Sequence, residues 1–408
     1  VGEAAAAAVA AWAVATPLVM LHFGIVSPLG PAATLLLMPL VVVVLSLGYA
    51  ALLVGAIVQP LAGLMGSGLV WLGMGVTWIV FVMDGLPGAV LFVPRVSEAW
   101  VVAATVVIVW WIVRGSWRDW RTVSASAVVV VWLVLQWMGT GVGRDAALRM
   151  DALDVSQGTC MLVRSGDEAM LWDCGSLRMT VGERLVPNAV RELGSGRVRR
   201  VVLSHPNIDH YSGLVDALAP LGVREVMVGE GFVRAAEEDG DGPAALLLEE
   251  VRRRGVAVRV VRAGETFSFG EARATVVWPD SIEGLETVND TSLVMRIEVV
   301  TAGGPRRVLL TGDIQRDAMR RMMAGEVDIA ADVMEAPHHG SAIAASYAFV
   351  ERGDPGVVIQ STDRSRLDDA RWDEVRAGRM WLATAGVGAV SVVIERDGTV
   401  AADGFIDE

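Results

Sequence analysis

The first third of this 408-residue chain has almost no charge. Residues 1–144 contain five arginines and four acidic side chains, a net of +1. So little charge over so long a stretch argues against a water-soluble domain and for helices lying in a bilayer. Cysteine is nearly absent as well. Cys160 and Cys174 are too few for a disulfide framework, and they read as small buried residues on neighbouring strands. The other 264 residues carry −14, which with the first part gives the total of −13. They lack the broad basic face that neutralises nucleic-acid phosphates, so a nucleic-acid role needs a local basic track or another subunit. No basic stretch opens the chain, which argues against a cleavable signal peptide. No glycine-rich phosphate loop follows any expected strand, which argues against a dinucleotide-binding fold.

What fills the first third is apolar. Runs over residues 4–24, 32–57, 61–83, 100–111 and 123–137 read as crossings, the third, glycine-rich one either crossing or re-entering, with Pro39 inside the second absorbed by bundle packing. Gly63, Gly66 and Gly68 permit close helix approach. Tryptophans such as Trp71, Trp78, Trp100, Trp117 and Trp137 crowd the ends of these runs, as interface-anchoring rings do. Residues 114–121 hold three arginines against Asp119, so the positive-inside rule puts that loop in the cytoplasm and residue 145 onward outside. His22, the lone histidine of this part, reads as a satisfied polar residue facing the bundle interior.

The rest of the chain is organised by Val201-Val-Leu-Ser-His205-Pro-Asn207-Ile-Asp209-His210. An apolar strand pattern delivers a packed polar group at its end, and two imidazoles with a carboxylate suit zinc or manganese. Leu309-Leu-Thr-Gly-Asp313 and Val333-Met-Glu-Ala-Pro337-His338-His339-Gly340-Ser341 repeat the pattern. Asp173 closes an expected strand pair, 153–164 and 168–175, around Ser165-Gly-Asp167. From there its carboxylate either orients a bound water or a supporting histidine, or simply caps the next turn. Further strands are expected over 197–203, 223–228, 256–261, 266–269, 272–278, 292–300, 307–310 and 331–335. Helices are expected over 186–193, 243–254 and 316–323, and a last strand pair over 389–395 and 400–402. This rhythm predicts an α/β fold, an αββα sandwich. Arg252, Arg253 and Arg254 make its densest positive run, read as a solvated helix end.

These motifs resemble the ComEC family of DNA-uptake proteins. Leu153-Asp-Val-Ser-Gln-Gly158, Leu171-Trp-Asp173-Cys-Gly175, Ser204-His205 through His210, Leu310-Thr-Gly-Asp313 and Pro337-His-His-Gly-Ser341 follow the order of that family's metallo-beta-lactamase-like domain. His22-Phe-Gly24 through Pro39 resembles the late transmembrane part of its competence channel domain. The resemblance implies a transmembrane helix bundle over 1–144 and a metallo-beta-lactamase-like hydrolase domain over 145–408. It implies His205, Asp209, His210, Asp313 and one of His338 or His339 as metal ligands, with Asp313 bridging if two ions bind. Asp173, Asp209 and Asn207 are the candidate catalytic residues.

The sequence also departs from the family. Asn207 stands where an acidic residue or histidine is usual, Ser156 and Thr159 replace a glycine and an aspartate, and only Ser346 remains of a later serine pair. Residues 362–369 lack the family's late Asn and His-Pro element, whereas Asn289 and Ser292 match its polar stretch. One metal site is therefore expected intact and the second weakened. The match begins late in the channel part, as in a fragment or a reduced relative. The implied function is a membrane-tethered metal-dependent phosphodiesterase or nuclease in DNA uptake. Its expected partners are DNA, the lipid bilayer, and other uptake components or a second copy. Two alternatives stand beside it. One is a catalytically weakened translocation component, motivated by Asn207. The other is a metal-dependent hydrolase of a small ester, motivated by the −14 charge.

Overall fold

The computed structural model describes residues 2–406 apart from 56, 85, 87, 94–95, 115–118, 140–145, 179, 326 and 368. The chain divides into two compact units, Val1–Thr140 and Gly141–Glu408.

Apolar backbone away from water must satisfy its own hydrogen bonds, and a helix does so within one segment. The first unit accordingly holds α1 (Gly2–Phe23), α2 (Gly30–Gly55), α3 (Gln59–Asp84), α4 (Glu98–Arg114) and α5 (Trp120–Gly139). A two-residue pair, β1 (Ile25–Val26) against β2 (Leu91–Phe92), joins two of the connectors. Among the described residues three helices, α1 to α3, are long and apolar enough to cross a bilayer, and α4 and α5 are shorter apolar helices. The run expected over 61–83 lies within the single helix α3. No residue of α2 is buried, and Leu52 and Leu53 are 75% and 73% exposed. Apolar surface on that scale needs lipid around it, so the chain is a membrane protein.

Three expectations fail here. Gly63, Gly66 and Gly68 make no close helix approach, since nothing among the described residues lies within 4 Å of where a Cβ would stand. Trp100 is not an interface ring: it is buried among Met20, Val101 and Ala104 and donates its Nε1–H to the carbonyl of Val129 at 2.9 Å. His22 is exposed on the last turn of α1 rather than turned into the bundle. Arg118 and Arg144, which bear on the charge bias, lie outside the described residues, as do Pro87, Pro94, Arg95 and Trp117.

The second unit opens with β3 (Leu148–Ala152), β4 (Met161–Ser165), β5 (Glu168–Trp172), α6 (Val186–Glu192) and β6 (Arg200–Leu203). The one-turn α7 (Ile208–Tyr211) follows, then α8 (Leu214–Leu221), β7 (Glu225–Val228), α9 (Glu230–Glu238), α10 (Pro243–Arg253) and β8 (Ala257–Val260). Next come β9 (Thr266–Phe269), β10 (Ala272–Trp278), β11 (Val294–Thr301), β12 (Gly304–Leu310), α11 (Arg316–Ala324), β13 (Val333–Glu335), α12 (Ala344–Gly353) and β14 (Val357–Gln360). The unit ends with α13 (Asp373–Arg376), β15 (Met380–Ala383), α14 (Thr384–Val387), β16 (Val390–Ile394) and β17 (Val400–Gly404).

Two sheets form, in the orders β17-β16-β3-β4-β5-β6-β7-β8 and β15-β14-β13-β12-β11-β10-β9. Strand side chains alternate between faces, and the alternation builds the layers. Met170 and Trp172 of β5, Val202 of β6 and Met227 of β7 meet Val308, Leu310, Val333 and Ile359 between the sheets. The intervening Leu171, Val201, Leu203 and Val226 pack outward against α6, α8 and α10. Leu309, Met334 and Val358 pack outward against α11 and α12. This is the expected αββα sandwich. In each sheet the strands that precede the polar motifs, β5–β6–β7 and β12–β13–β14, are parallel. Their carboxyl ends therefore gather at one end of the sandwich.

The expected strand over 153–164 begins only at Met161. Residues 153–160 instead form a loop, turned by Ser156 (φ 67°) and Gly158 (φ 143°) and held by the Thr159 N–H on the Asp209 carbonyl at 3.2 Å. The strand that does lead the hairpin is β3, which had no counterpart among the expected strands.

Candidate metal centre

Each motif reaches the site from a strand end. Asp173 follows β5, Ser204 to His210 follow β6, Asp313 follows β12, and His338 and His339 follow β13. Backbones meet closely here. A Cβ on Gly175 would collide with the backbone of Asp209 to Tyr211, and one on Gly158 with the carbonyls of Gly175 and Asp209. That contact is the physical reason for glycine at both positions.

His338 and His339 adopt φ of 49° and 54°, followed by Gly340 at 76°. Left-handed backbone at a non-glycine residue costs on the order of 1–3 kcal/mol. The turn is held from several sides. The His338 N–H donates to the Gly312 carbonyl at 3.0 Å and the Trp372 Nε1–H to the Gly340 carbonyl at 2.7 Å. Arg366 and Gln360 donate to the carbonyls of His338 and His339.

Three imidazoles are buried with Nδ1 engaged and Nε2 directed into the site. His210 donates Nδ1–H to Asp173 Oδ2 at 2.7 Å, and His339 donates Nδ1–H to the Ser361 carbonyl at 2.9 Å. His205 Nδ1 lies 3.0 Å from Ser204 Oγ. The Nε2 atoms of His205, His210 and His339 are buried without a hydrogen-bond partner. They converge on two carboxylates. His210 Nε2 is 3.3 Å from Asp313 Oδ1, and His339 Nε2 is 3.4 Å from Asp313 Oδ2 and 3.5 Å from Asp209 Oδ2. His205 Nε2 stands farther out, 3.9 Å from Asp313 Oδ2.

One ligand atom each from Asp209, His210, Asp313 and His339 lies within 4.8 Å of the others. Ligands at ~2.1 Å about a tetrahedral ion are separated by ~3.4 Å, so this donor set fits a divalent metal. Orphaned buried nitrogens facing two carboxylates are what such an ion would satisfy.

The charges are tuned accordingly. Burial opposes ionisation of Asp313, but His339 and His210 outweigh it and hold its carboxyl well below the usual range. Asp209 is lowered in the same way, burial being outweighed by the nearby imidazoles of His339 and His210. Burial likewise opposes a charged His210, yet Asp313 and Asp173 raise it well above its ordinary value. His205, pressed by burial and by His210, falls to about 3 and stays neutral. A neutral imidazole is the form that binds metal, so an ion held here would take the place of the proton that Asp313 and Asp173 favour on His210.

Of the remaining candidates, Asp173 and Asn207 do not face this point, whereas His338 Nε2 stands at its edge, 3.8 Å from Asp313 Oδ2. Asp173 is fully buried behind His210, and it accepts the backbone N–H and the hydroxyl of Ser204, each at 2.7 Å. Asn207 donates its amide to Asn289 Oδ1 at 2.8 Å. Asn289 in turn lies 3.4 Å from His338 Nε2, and Gln315 Nε2 lies 3.0 Å from His338 Nδ1. Asn207, Asn289, His338 and Gln315 thus form an uncharged arm beside the cluster.

Sequence reasoning assigned no role to Ser204, whose hydroxyl touches Asp173, His205 and His210 together. It also passed over Glu335. This buried carboxylate accepts the backbone N–H of Thr311 at 2.8 Å, that of Gly312 at 2.9 Å, and the Trp172 Nε1–H at 3.0 Å. Burial raises Glu335 to about 7 against those donors. A charged residue inside the apolar run 333–336 was the available signal.

Residues 153–363 match the family model of the metallo-beta-lactamase superfamily, and residues 2–118 that of competence proteins. The chain is 23% identical over 231 residues to ComE operon protein 3 of Bacillus subtilis (strain 168), covering 53% of this chain and 28% of that protein. It is 24% identical over 302 residues to the uncharacterized protein YcaI of Escherichia coli (strain K12), covering 71% of this chain and 36% of that one. The chain thus spans about a third of the length of these curated relatives. Among solved structures, the metallo-beta-lactamase fold protein YhfI of Bacillus subtilis aligns with 62% of this chain and 99% of its own, at 14% identity and a TM-score of 0.38. The chain belongs to the metallo-beta-lactamase superfamily, and by joining that domain to a competence-protein segment it is of the ComEC type.

Proposed function

We propose that the chain is a membrane-tethered, metal-dependent phosphodiesterase that acts on DNA during uptake. The observation that carries this reading is the convergence of three unpartnered, buried imidazole nitrogens on Asp209 and Asp313. In the proposed arrangement Asp209, His210, Asp313 and His339 hold one zinc or manganese ion, and His205 stands in reserve beside it. A divalent ion supplies Lewis-acid polarisation of a phosphoryl oxygen and of an attacking water. The protein's own groups do the rest. Asp173, fastened by Ser204, fixes the His210 ring so that Nε2 faces the site. Asn207 uses one amide N–H on Asn289 and keeps the second for a phosphoryl oxygen of the substrate. The membrane helices cross the bilayer repeatedly over residues 1–144, and residues 145–408 work on the extracytoplasmic side.

The Asn207–Asn289 hydrogen bond favours one second reading, a translocation component that binds metal and DNA without cutting. Metal content of the purified chain decides between them, with cleavage of single- and double-stranded DNA assayed under Mn²⁺ and Zn²⁺. About one ion per chain, with cleavage abolished by Asp209→Ala, is the expected result. Cleavage that survives Asp209→Ala sinks the enzyme reading, and metal without cleavage supports the translocation reading.

A further inference from the structure

The metal centre occupies the carboxyl ends of β5, β6 and β12. At the opposite ends of β5, β6 and β7 lies a cavity of about 700 Å³, within the ~300–1,000 Å³ typical of ligand sites. Five arginines line it: Arg164, Arg197, Arg199, Arg200 and Arg224. Three acidic residues, Asp167, Glu168 and Glu225, share the lining, so the cavity is net positive in a unit that is strongly acidic. The arginines fall into two groups. Arg164 pairs with Asp151 at 2.7 Å and Arg200 with Glu225 at 3.0 Å, so these two are committed to the scaffold. Arg197, Arg199 and Arg224 are exposed and have no carboxylate partner among the described residues. They come from adjacent loops, and the Arg224 N–H donates to the Arg199 carbonyl at 2.9 Å, which ties those loops together.

Uncompensated arginines around a concavity recognise anions, and the planar guanidinium matches the two free oxygens of a phosphodiester. The chain has no lysine, so every long-chain cation it offers has this fork geometry. The densest basic run in the sequence does not compete, because Arg253 and Arg254 are paired with Glu250. A lipid surface fits less well. Membrane-docking faces combine cations with exposed apolar side chains, and no exposed large apolar residue lines this cavity.

We propose that Arg197, Arg199 and Arg224 form a phosphate-backbone subsite for nucleic acid, separate from the metal centre, that holds the strand while another part of it is at the cluster. The proposal rests on the DNA reading above. Its test is the affinity of the full chain in detergent for a fluorescent single-stranded oligonucleotide, titrated across salt concentrations without added metal. The triple variant Arg197→Ala, Arg199→Ala, Arg224→Ala should bind at least ~10-fold more weakly, and its salt slope should fall by about 2, as expected for three lost phosphate contacts. A control removing equal charge elsewhere, Arg252→Ala, Arg320→Ala, Arg352→Ala, should change neither value.

Equal losses in the triple variant and the control would overturn the subsite in favour of general electrostatics. Unchanged oligonucleotide affinity, with lost binding of a soluble short-chain phosphatidylglycerol, would reassign the arginines to lipid headgroups and overturn it too. If the parent binds the oligonucleotide and the triple variant matches it, only the subsite fails. If the parent does not bind, the DNA reading fails with it.

Discussion

On one side of the site four side chains bring charge and lone pairs to a common point; on the other, four side chains direct their polarity at one another. Asp209, His210, Asp313 and His339 lie close together with their imidazole Nε2 atoms unpartnered, whereas Asn207, Asn289, His338 and Gln315 make a hydrogen-bonded chain. Both arms hang from the same strand ends, so the scaffold does not distinguish them. Residue chemistry does. A carboxylate near a cation gains from ionising, while a neutral amide finds its best partner in another amide. The lesson is that neighbouring strand ends of one scaffold can present a charged cluster and a hydrogen-bonded amide chain side by side, the residue types alone deciding which.

Substitutions can break that contrast, and the largest effect belongs to the charged arm. His210→Ala should weaken metal binding by more than about 100-fold, the upper end of what loss of an outer partner costs, while Asn289→Ala should leave metal content unchanged. Chelator competition on both variants reads this, and equal losses would erase the distinction. Next comes the support beneath the charged arm. Glu335 is raised from 4.5 to about 7 by burial, so the folded state prefers its protonated form. Its contribution is complete below pH 4.5 and is lost as pH rises to about 7, costing about 3 kcal/mol. Glu335→Gln should therefore gain stability relative to the parent as pH rises through that window, in unfolding measured at pH 4.5 and 7.5. Smallest is conversion of the amide arm. Asn207→His should raise bound metal from about one toward two ions per chain at millimolar Zn²⁺, by elemental analysis, with little change in stability.

Much of this was legible in the sequence because it is local. The candidate ligands cluster within a few residues of each other at the ends of apolar runs, and the strand alternation around them is period two. What was not legible depends on residues far apart in the chain. The Asn207–Asn289 bond joins positions 82 residues apart, and Glu335 serves Trp172 across the sandwich at a separation of 163. Residues 153–160 carried an apolar pattern that reads as strand, but close backbone packing against Asp209 turned them into a loop. Tryptophan at a segment end looked like an interface anchor, and Trp100 instead found a carbonyl on α5. Arg252 to Arg254 were conspicuous as a run, whereas Arg197, Arg199 and Arg224 are brought together only by the fold.

The strands that carry the ligands are all interior. β5, β6, β12 and β13 each have hydrogen-bonded neighbours on both sides. Opening of a native protein begins where backbone is least enclosed, so the edges β8, β9, β15 and β17 should exchange their amide hydrogens first. The loops that carry the candidate ligands are then rooted in the part of the sandwich that opens last. Stripping the metal should loosen side chains at the strand tips while the slowest-exchanging amides beneath them keep their protection.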